Sequence, residues 1–213
     1  MQHNFILCFC LLKKYSFKNG DFKIMNDKYY PWGGEFTTCQ PDGCVAVVLL
    51  NISYTPPKDV AIFGFLKTEN IGIEKIVANV ISNPNIRYLI VCGDDIRGHR
   101  CGKSLVALNK NGIDEKHKIV DAPGAIPYIE NLNEKAIKRF CKQIEIIDLI
   151  GIVEGNVIDK KIKECNDKSP GSFGEPYIAI QIKPEANVIL DDKRALHSKI
   201  VVNYLGKIEK RGN

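Results

Sequence analysis

Val45-Ala-Val-Val-Leu-Leu50 and Tyr88-Leu-Ile-Val-Cys92 are two short, unbroken runs of predominantly apolar residues. This pattern is typical of strands buried on both faces of a parallel sheet, whereas strands with one hydrated face alternate apolar and polar residues. Between these runs, residues 71–80 have helical periodicity; the cap residues Thr68-Glu-Asn70 precede them and Asn83-Pro84 follows them. The succession of strand, helix and strand predicts a parallel sheet covered by helices.

The same alternation continues through most of the chain. Apolar runs predict strands at residues 45–50, 60–63, 88–92, 118–120, 144–152 and 177–182, and helical patterns lie at residues 71–80, 103–111, 133–140 and 158–166. Together they predict an α/β fold, a Rossmann-like and mostly parallel sheet with helices on both faces.

Three segments differ in pattern and predict the domain organisation. Residues 1–28 lack a lasting period and are a predicted N-terminal extension, in which Met25 is a candidate for the natural start of the chain. Residues 29–182 are the predicted α/β domain, and residues 183–213 are a predicted C-terminal tail. Two apolar runs in the tail indicate extra strands, at residues 188–190 and 200–204.

The composition is that of a globular protein, since 45% of the 213 residues are hydrophobic and 26% are charged. The net charge of +5 is spread along the chain, and the lack of a basic run argues against a nucleic-acid partner. The eight cysteines are scattered, as expected for free thiols in a reducing compartment. The longest apolar run, residues 5–12, is too short for a membrane span, and its lysines follow it, unlike those of a signal peptide. We therefore expect a soluble, cytoplasmic protein without a membrane span.

Loops at the carboxyl ends of the strands are where ligands bind in open α/β sheets. In this chain they are residues 64–70, 93–103 and 121–127. The sequence contains no glycine-rich dinucleotide or P-loop signature and no Gly-x-Ser-x-Gly nucleophile motif. Of the four histidines, His99 is the one that lies in such a loop. It is therefore the first candidate for a functional residue.

The spacing His99-x-x-Gly102 is similar to a motif of many cobalamin-binding Rossmann domains, in which a loop histidine ligates cobalt. The similarity is partial, because Arg97 stands where those domains have a carboxylate. The motif alone leaves open a histidine that simply packs at the sheet edge. A zinc site is a further alternative. Its donors would be Cys92, His99, Cys101 and His117.

Longer blocks of the chain, all in one order, match a known family. They are Cys44-Val-Ala-Val-Val48, Phe65-Leu-Lys-Thr-Glu-Asn-Ile-Gly-Ile-Glu-Lys75, Ala78-Asn-Val-Ile-Ser-Asn-Pro-Asn-Ile-Arg87, the segment from Cys92-Gly through Gly98-His99 to Gly102-Lys-Ser104, Ala107-Leu-Asn-Lys-Asn-Gly-Ile-Asp114, Gly124-Ala-Ile-Pro-Tyr-Ile-Glu-Asn131 and Lys161-Ile-Lys-Glu-Cys165. Through these blocks, from residue 30 to residue 182, the chain resembles the A subunit of tetrahydromethanopterin S-methyltransferase.

The resemblance implies a methyltransferase component that carries cobalamin or a related corrinoid and acts with partner subunits. In that family of methanogen proteins, cobalt takes a methyl group from methyl-tetrahydromethanopterin and gives it to coenzyme M, and the membrane complex exports sodium. The family's histidine, proposed as the lower axial cobalt ligand, falls on His99. No transmembrane helix can be drawn in residues 183–213, where the membrane-bound family members have one. The resemblance thus implies a cytoplasmic homologue; a corrinoid-binding protein without a catalytic role is the alternative.

Other residues of the three loops are candidates for holding the corrinoid. Asp94 or Asp95 is a candidate hydrogen-bond partner for the second nitrogen of His99; the alternatives are that they cap the following helix or simply face water. The other candidates supply backbone amides, small polar groups, close backbone approach or an apolar bed. They are Leu66, Thr68, Asn70, Gly98, Gly102, Ser104, Gly124, Ala125, Ile126 and Pro127. Lys67 and Arg97 are candidates for contacts with a phosphate or with a partner.

Overall fold

The computed structural model describes residues 29–180, 194–196, 200–203 and 208–210. The chain divides into two compact units, and the boundary lies between Gln181 and Ile182. The predicted extension at residues 1–28, with Met25, and the predicted strand at residues 188–190 lie outside the described residues.

The first unit alternates strands and helices, and the second contains strands. In chain order the first unit has β1 (Phe36–Thr38), β2 (Val45–Leu49), β3 (Ile62–Phe65), α1 (Ile71–Ser82), β4 (Tyr88–Gly93), α2 (Cys101–Asn111), α3 (Glu134–Gln143), β5 (Glu145–Ile150) and α4 (Gly155–Lys168). In the second unit, β6 (Arg194–Leu196), β7 (Ile200–Asn203) and β8 (Ile208–Lys210) form an antiparallel sheet.

The sheet of the first unit has the strand order β1-β3-β2-β4-β5. Strands β3, β2, β4 and β5 run parallel, and β1 pairs antiparallel with β3 at one edge. This mixed, mostly parallel sheet with four helices confirms the predicted α/β fold. Since β3 and β4 lie on opposite sides of β2, the connections that follow β2 and β4 diverge. Such a switch point opens a crevice beyond the carboxyl ends of the two strands.

Helices cover both faces of the sheet. On one face α1, α2 and α3 pack against Ala46 and Val48 of β2, and on the other face α4 packs against Val45, Val47 and Leu49. Successive side chains of a strand point to opposite faces, so a strand between two helical layers needs apolar residues at every position. All five residues of β2 and all six of β4 are buried, which explains the unbroken apolar runs.

Two predicted strands are wrong. Residues 118–120 form no strand and make isolated bridges to Ile113 and Tyr128. Residues 177–180 lie outside the sheet. The Tyr177 amide donates a hydrogen bond of 3.2 Å to the Ile81 carbonyl, and the segment packs against the core of the α1–α3 face. In both segments apolar side chains pack against the core formed by the helices. An apolar run therefore occurs here in segments that do not pair as strands.

The ends of several elements differ from their predicted positions. Strand β3 lies two residues later than predicted, and α2 and α4 begin two and three residues earlier, at Cys101 and Gly155. Strand β1 was not predicted, since it is short and mostly exposed and therefore has no apolar run. In the second unit, β7 lies within the predicted strand at residues 200–204, and β6 and β8 were not predicted.

Candidate functional site

Three loops meet at the carboxyl end of the parallel strands. The loop between β3 and α1 carries Glu69, the loop between β4 and α2 carries His99, and residues 121–127, between α2 and α3, carry Ile126. Hydrogen bonds to the Glu69 carboxylate join all three loops. The His99 loop follows β4 at the switch point of the sheet, which is where open α/β sheets bind ligands.

The Glu69 carboxylate is a buried acceptor at the centre of these loops. Its Oε1 accepts a hydrogen bond from the Ile126 amide over 3.1 Å, and its Oε2 lies 3.1 Å from His99 Nδ1 and 3.8 Å from the Cys101 thiol. Burial alone raises the pKa of Glu69, but hydrogen bonds from its own amide, from Ile126 and from His99 outweigh burial and lower the pKa below its usual value. Glu69 is therefore ionised at neutral pH.

The charge of Glu69 determines which nitrogen of His99 is free. An ionised carboxylate can only accept hydrogen bonds, so Nδ1 of His99 carries the proton, and in the neutral ring Nε2 carries the lone pair. The His99 side chain is 60% exposed, whereas that of Glu69 is 5% exposed. Among residues 29–180, no hydrogen bond to Nε2 is formed. The imidazole thus offers Nε2 to a ligand while a buried carboxylate holds its other side.

Cys101 is the third side chain on the carboxylate. Burial, followed by the negative charges of Glu69 and Asp95, raises the pKa of its thiol to about 12. Cys101 therefore stays protonated at neutral pH and acts as a weak donor to Glu69 rather than as a nucleophile.

The lowered pKa of Glu69 predicts a pH-dependent stability. Since the folded pKa lies below the unfolded value of about 4.3, Glu69 contributes stability above that pH, and this contribution is lost as the pH falls through the folded pKa. We expect Glu69→Gln to be less stable than the wild type at neutral pH, with a difference that shrinks at about pH 3. Urea unfolding at both pH values measures it. Glu115→Gln, at an exposed position, is the control; an equal Glu69→Gln deficit at both pH values would contradict the prediction.

The predicted partners of His99, Asp94 and Asp95, make other contacts. Asp95 accepts hydrogen bonds of 3.1 and 2.9 Å from two amides in the first turn of α2 and so caps that helix. Asp94 is exposed and pairs through its backbone with Asn51. In this structure Glu69 has the position beside His99 that was predicted for one of these aspartates.

Thr68 and Asn70 cap α1 beside Glu69. Thr68 Oγ1 accepts a hydrogen bond of 2.9 Å from the amide of the second residue of α1, and Asn70 Oδ1 accepts one of 2.8 Å from the amide of the first. Leu66, which precedes them, is buried in the core of the α1–α3 face. These three residues thus hold the ends of the loop that brings Glu69 to the site.

Gly98 and Gly102 differ in what their missing side chains permit. Gly98 has a φ of +92°, a conformation that favours glycine, and no atom lies within 4 Å of where a Cβ would be. Gly102 is buried in α2, where a Cβ would lie 2.7 Å from Leu50 Cδ1. Gly98 therefore leaves open space beside His99, whereas Gly102 lets α2 approach the end of β2.

Ser104 and Gly124 join α2 to the loop at residues 121–127. The Ser104 side chain is buried, and its Oγ accepts a hydrogen bond of 3.2 Å from the Gly124 amide. A Cβ on Gly124 would lie 2.7 Å from the His99 carbonyl oxygen and 2.7 Å from Ser104 Oγ. Only glycine fits so close to the backbone of the candidate ligand.

The remaining predicted residues lie around this centre. Ala125 and Ile126 are exposed, and Pro127 is buried. Lys67 forms an exposed ion pair with Glu35, with 2.6 Å between Nζ and Oε2. The exposed Arg97 lies in the same loop as His99.

Exposed apolar side chains concentrate at the same edge of the sheet. Of the seven large hydrophobic residues that are exposed in residues 29–180, six lie at the carboxyl ends of the strands or in the segments beyond them. They are Phe65, Ile71, Ile96, Ile126, Val153 and Val157. Exposed apolar residues that cluster in this way mark a surface that binds an apolar ligand or a partner.

The structure does not bring the four zinc-donor candidates together. The Cys92 thiol is buried and donates to the Val48 carbonyl, and His117 Nδ1 lies 2.9 Å from the Ile129 carbonyl oxygen. Among the described residues, no group of three or more His, Cys, Asp or Glu side chains could hold a metal ion.

Glu69 was predicted only as part of the segment that precedes α1, and Cys101 only as a zinc donor; neither was predicted beside His99 in this centre. Glu69 stands between the two cap residues of α1, and Cys101 begins α2. A carboxylate in a strand-end loop was a usable signal, but its contact with a histidine 30 residues later depends on how α1 and α2 pack.

Comparison with known proteins gives the family. A family model that describes the A subunit of tetrahydromethanopterin S-methyltransferase matches residues 23–188. The chain belongs to this family. The resemblance found in the sequence blocks is therefore confirmed.

Three relatives illustrate the range of the family. The chain is 45% identical over 167 residues to the first of two A subunits of tetrahydromethanopterin S-methyltransferase in Methanobrevibacter ruminantium, covering 76% of this chain and 68% of the relative. It is 46% identical over 154 residues to the protein of the same name from Methanothermobacter thermautotrophicus, covering 70% and 65%. It is 44% identical over 156 residues to the A subunit of the putative methyltransferase Mtx of Methanosarcina acetivorans, covering 73% and 79%.

The match leaves part of these relatives uncovered. The chain spans about two thirds of the length of the first two relatives. In the part of this chain that the structure describes, no helix is both long and apolar enough to cross a membrane.

Proposed function

We propose that the protein binds cobalamin or a related corrinoid and carries a methyl group on it between partner methyltransferase subunits. The observation that carries the proposal is His99, whose Nδ1 is held by the buried Glu69 carboxylate and whose side chain is 60% exposed in the loop that follows β4. When bound, the corrinoid supplies the cobalt centre to which a methyl group is attached and from which it is transferred.

The donor set of the site fits a cobalt ligand. Imidazole nitrogen is a common ligand of transition metals, and a ligating histidine usually donates its second N–H to a carboxylate or carbonyl. Glu69 takes that role here, keeping the proton on Nδ1 and fixing the ring. A carboxylate partner also makes Nε2 a stronger donor to the metal than an unsupported imidazole.

The surroundings of His99 fit the rest of the cofactor. A corrin ring is broad and largely apolar, with amide groups at its edge, so it needs an apolar surface with polar groups at the margin. The exposed apolar residues at this edge of the sheet supply the apolar surface, and the loop backbones supply the polar groups at its margin. The open space at Gly98 leaves room beside the ligand, and Arg97 is available to a phosphate of the cofactor.

The partners and substrates follow from the family. The relatives are named as the A subunits of methyltransferases, which supports action together with further subunits. The names support methyl-tetrahydromethanopterin as methyl donor, and membership in the family supports coenzyme M as acceptor and a cytoplasmic site of action. His99 ligates, Glu69 orients, and the chemistry of donor and acceptor belongs to the partner subunits.

Cobinamide provides a direct test, because this corrinoid lacks the nucleotide base and brings no lower axial nitrogen of its own. We expect the purified full chain to retain about one cobinamide per chain. After reduction to Co(II), its electron paramagnetic resonance spectrum should show coupling to a single nitrogen, and ¹⁵N-labelling of histidine should change the splitting. His99→Ala should abolish this coupling, whereas His117→Ala should keep it. No retained cobinamide, or undiminished coupling in His99→Ala, would refute the proposal.

A second measurement separates a methyl carrier from a protein that only binds corrinoid. The loaded protein is mixed with isotopically labelled methyl-tetrahydromethanopterin in the presence of a partner methyltransferase. Label that appears on the corrinoid supports the carrier. A loaded protein that never acquires label would leave the non-catalytic corrinoid-binding protein as the function.

A further inference from the structure

We infer that residues 124–131 position His99 for ligation, with the Ile126 amide acting through Glu69. The inference rests on the proposed ligand role of His99, and it concerns a part of the chain that reaches Glu69 through a backbone amide. Ile126 is thus a positioning residue that acts by its backbone, and its exposed side chain is not required for that effect.

One carboxylate, that of Glu69, is shared between two loops. Oε1 of Glu69 accepts from the Ile126 amide and Oε2 contacts His99 Nδ1, both over 3.1 Å. Glu69 is only 4% exposed, so water does not readily replace a lost donor. Leaving a buried charged oxygen without a donor costs more free energy than a typical hydrogen bond contributes. The Glu69 side chain would therefore rotate toward another donor. Without the Ile126 amide, His99 Nδ1 therefore no longer has an acceptor that is held in a fixed position.

Residues 124–131 are themselves held by hydrogen bonds at both ends. At one end, the Gly124 amide donates to Ser104 Oγ over 3.2 Å. At the other end, the Glu74 carboxylate, 1% exposed, accepts from the Asn131 amide over 2.7 Å and from Asn131 Nδ2 over 2.6 Å. Glu74 lies in the first turn of α1, directly after the loop of Glu69. Two buried carboxylates at the start of one helix therefore hold the same segment.

Residues 124–131 also lie close to the backbone of His99. The space for a Cβ on Gly124 is closed by the His99 carbonyl, Ser104 Oγ and the Glu69 side chain, at 2.7, 2.7 and 3.1 Å. A shift of the segment thus reaches His99 both through its carbonyl and through Glu69. Ile126, by contrast, is 59% exposed. Its hydrogen bond to the Glu69 carboxylate is made by the backbone amide.

Nuclear magnetic resonance of the ¹⁵N-histidine-labelled, cofactor-free full chain tests the inference at about pH 8.5, where histidine side chains are ordinarily neutral. Ile126→Pro removes the N–H, and Ile126→Ala is the matched control that keeps it. We expect the Nδ1–H form of His99 to dominate in the wild type and in Ile126→Ala. In Ile126→Pro the ratio of the Nδ1–H form to the Nε2–H form should fall by at least about threefold, because the Nδ1–H form loses its charge-assisted hydrogen bond to Glu69. An unchanged ratio in a folded Ile126→Pro protein would overturn the inference.

Ser104→Ala keeps the test decisive if Ile126→Pro does not fold. This variant leaves Glu69, His99 and the Ile126 amide intact but removes the acceptor of the Gly124 amide. Hydrogen exchange of the Ile126 amide should accelerate, and the tautomer ratio of His99 should shift in the same direction by a smaller factor. Wild-type exchange, or faster exchange with an unchanged ratio, would overturn the inference.

Failure of this inference is distinguishable from failure of the proposed function. The tautomer measurement uses no corrinoid, whereas the proposed function is decided by cobinamide retention in the wild type. If cobinamide binds with His99 as ligand, Ile126→Pro should also weaken the nitrogen coupling of the bound cobinamide relative to the wild type. Full coupling in Ile126→Pro would overturn the positioning role while leaving the proposed function intact.

Discussion

Gln143→Ala should lower the free energy of unfolding by about 3 kcal/mol. The Gln143 side chain is 1% exposed and lies at the end of α3. Its Nε2 donates to three carbonyl oxygens at distances of 3.2, 3.0 and 3.0 Å, those of Val80, Asn83 and Ile86. Alanine leaves these buried acceptors with fewer donors, and each unsatisfied buried group costs about 1–3 kcal/mol.

Urea unfolding measures this loss, and Lys142→Ala is its matched control. Lys142 is the preceding residue of the same helix but is exposed, so its replacement should change stability by less than about 0.5 kcal/mol. Alanine favours helix at least as well as glutamine or lysine, so helix propensity does not explain a loss at Gln143. A deficit at Gln143 no larger than at Lys142 would contradict the role given to this amide.

Gly124→Ala should weaken the binding of cobinamide by about tenfold or more, which corresponds to about 1.4 kcal/mol. The added Cβ would lie 2.7 Å from the His99 carbonyl oxygen and 2.7 Å from Ser104 Oγ. Both contacts are shorter than van der Waals distance, and one of them is backbone. The loop at residues 121–127 or the backbone of His99 must therefore move, and either shift displaces His99, the proposed ligand.

Titration with cobinamide, together with thermal unfolding, measures the effect of Gly124→Ala. Gly33→Ala is the matched control, since no atom lies within 4 Å of the place where its Cβ would be. It should bind cobinamide as the wild type does. Wild-type affinity in Gly124→Ala would mean that the loop can yield without disturbing His99, contrary to the close packing described above.

Much of the fold can be predicted from local patterns in the chain. The apolar runs of β2 and β4 are unbroken because helices cover both faces of these strands. Residues that point to either face must therefore be apolar, and the sequence shows this at every position of the run. Asn70 and Asn133 mark the beginnings of α1 and α3 because capping is a contact between near neighbours in sequence. Strand order and parallel direction place the strand-end loops at one edge, which made His99 a candidate before its neighbours were known.

Contacts between distant residues could not be predicted in this way. The sequence favoured Asp94 or Asp95 for His99 because they are near it in the chain. The start of α2, six or seven residues away from them, competes for such a carboxylate, and Asp95 caps α2. Glu69 became the partner because the packing of α1 and α2 on one face brings together loops that are 30 residues apart. The apolar segments at residues 118–120 and 177–180 were mistaken for strands for a related reason. An apolar composition indicates that the side chains of a segment are buried. Whether the segment forms a strand depends on whether the backbone of another strand lies beside it.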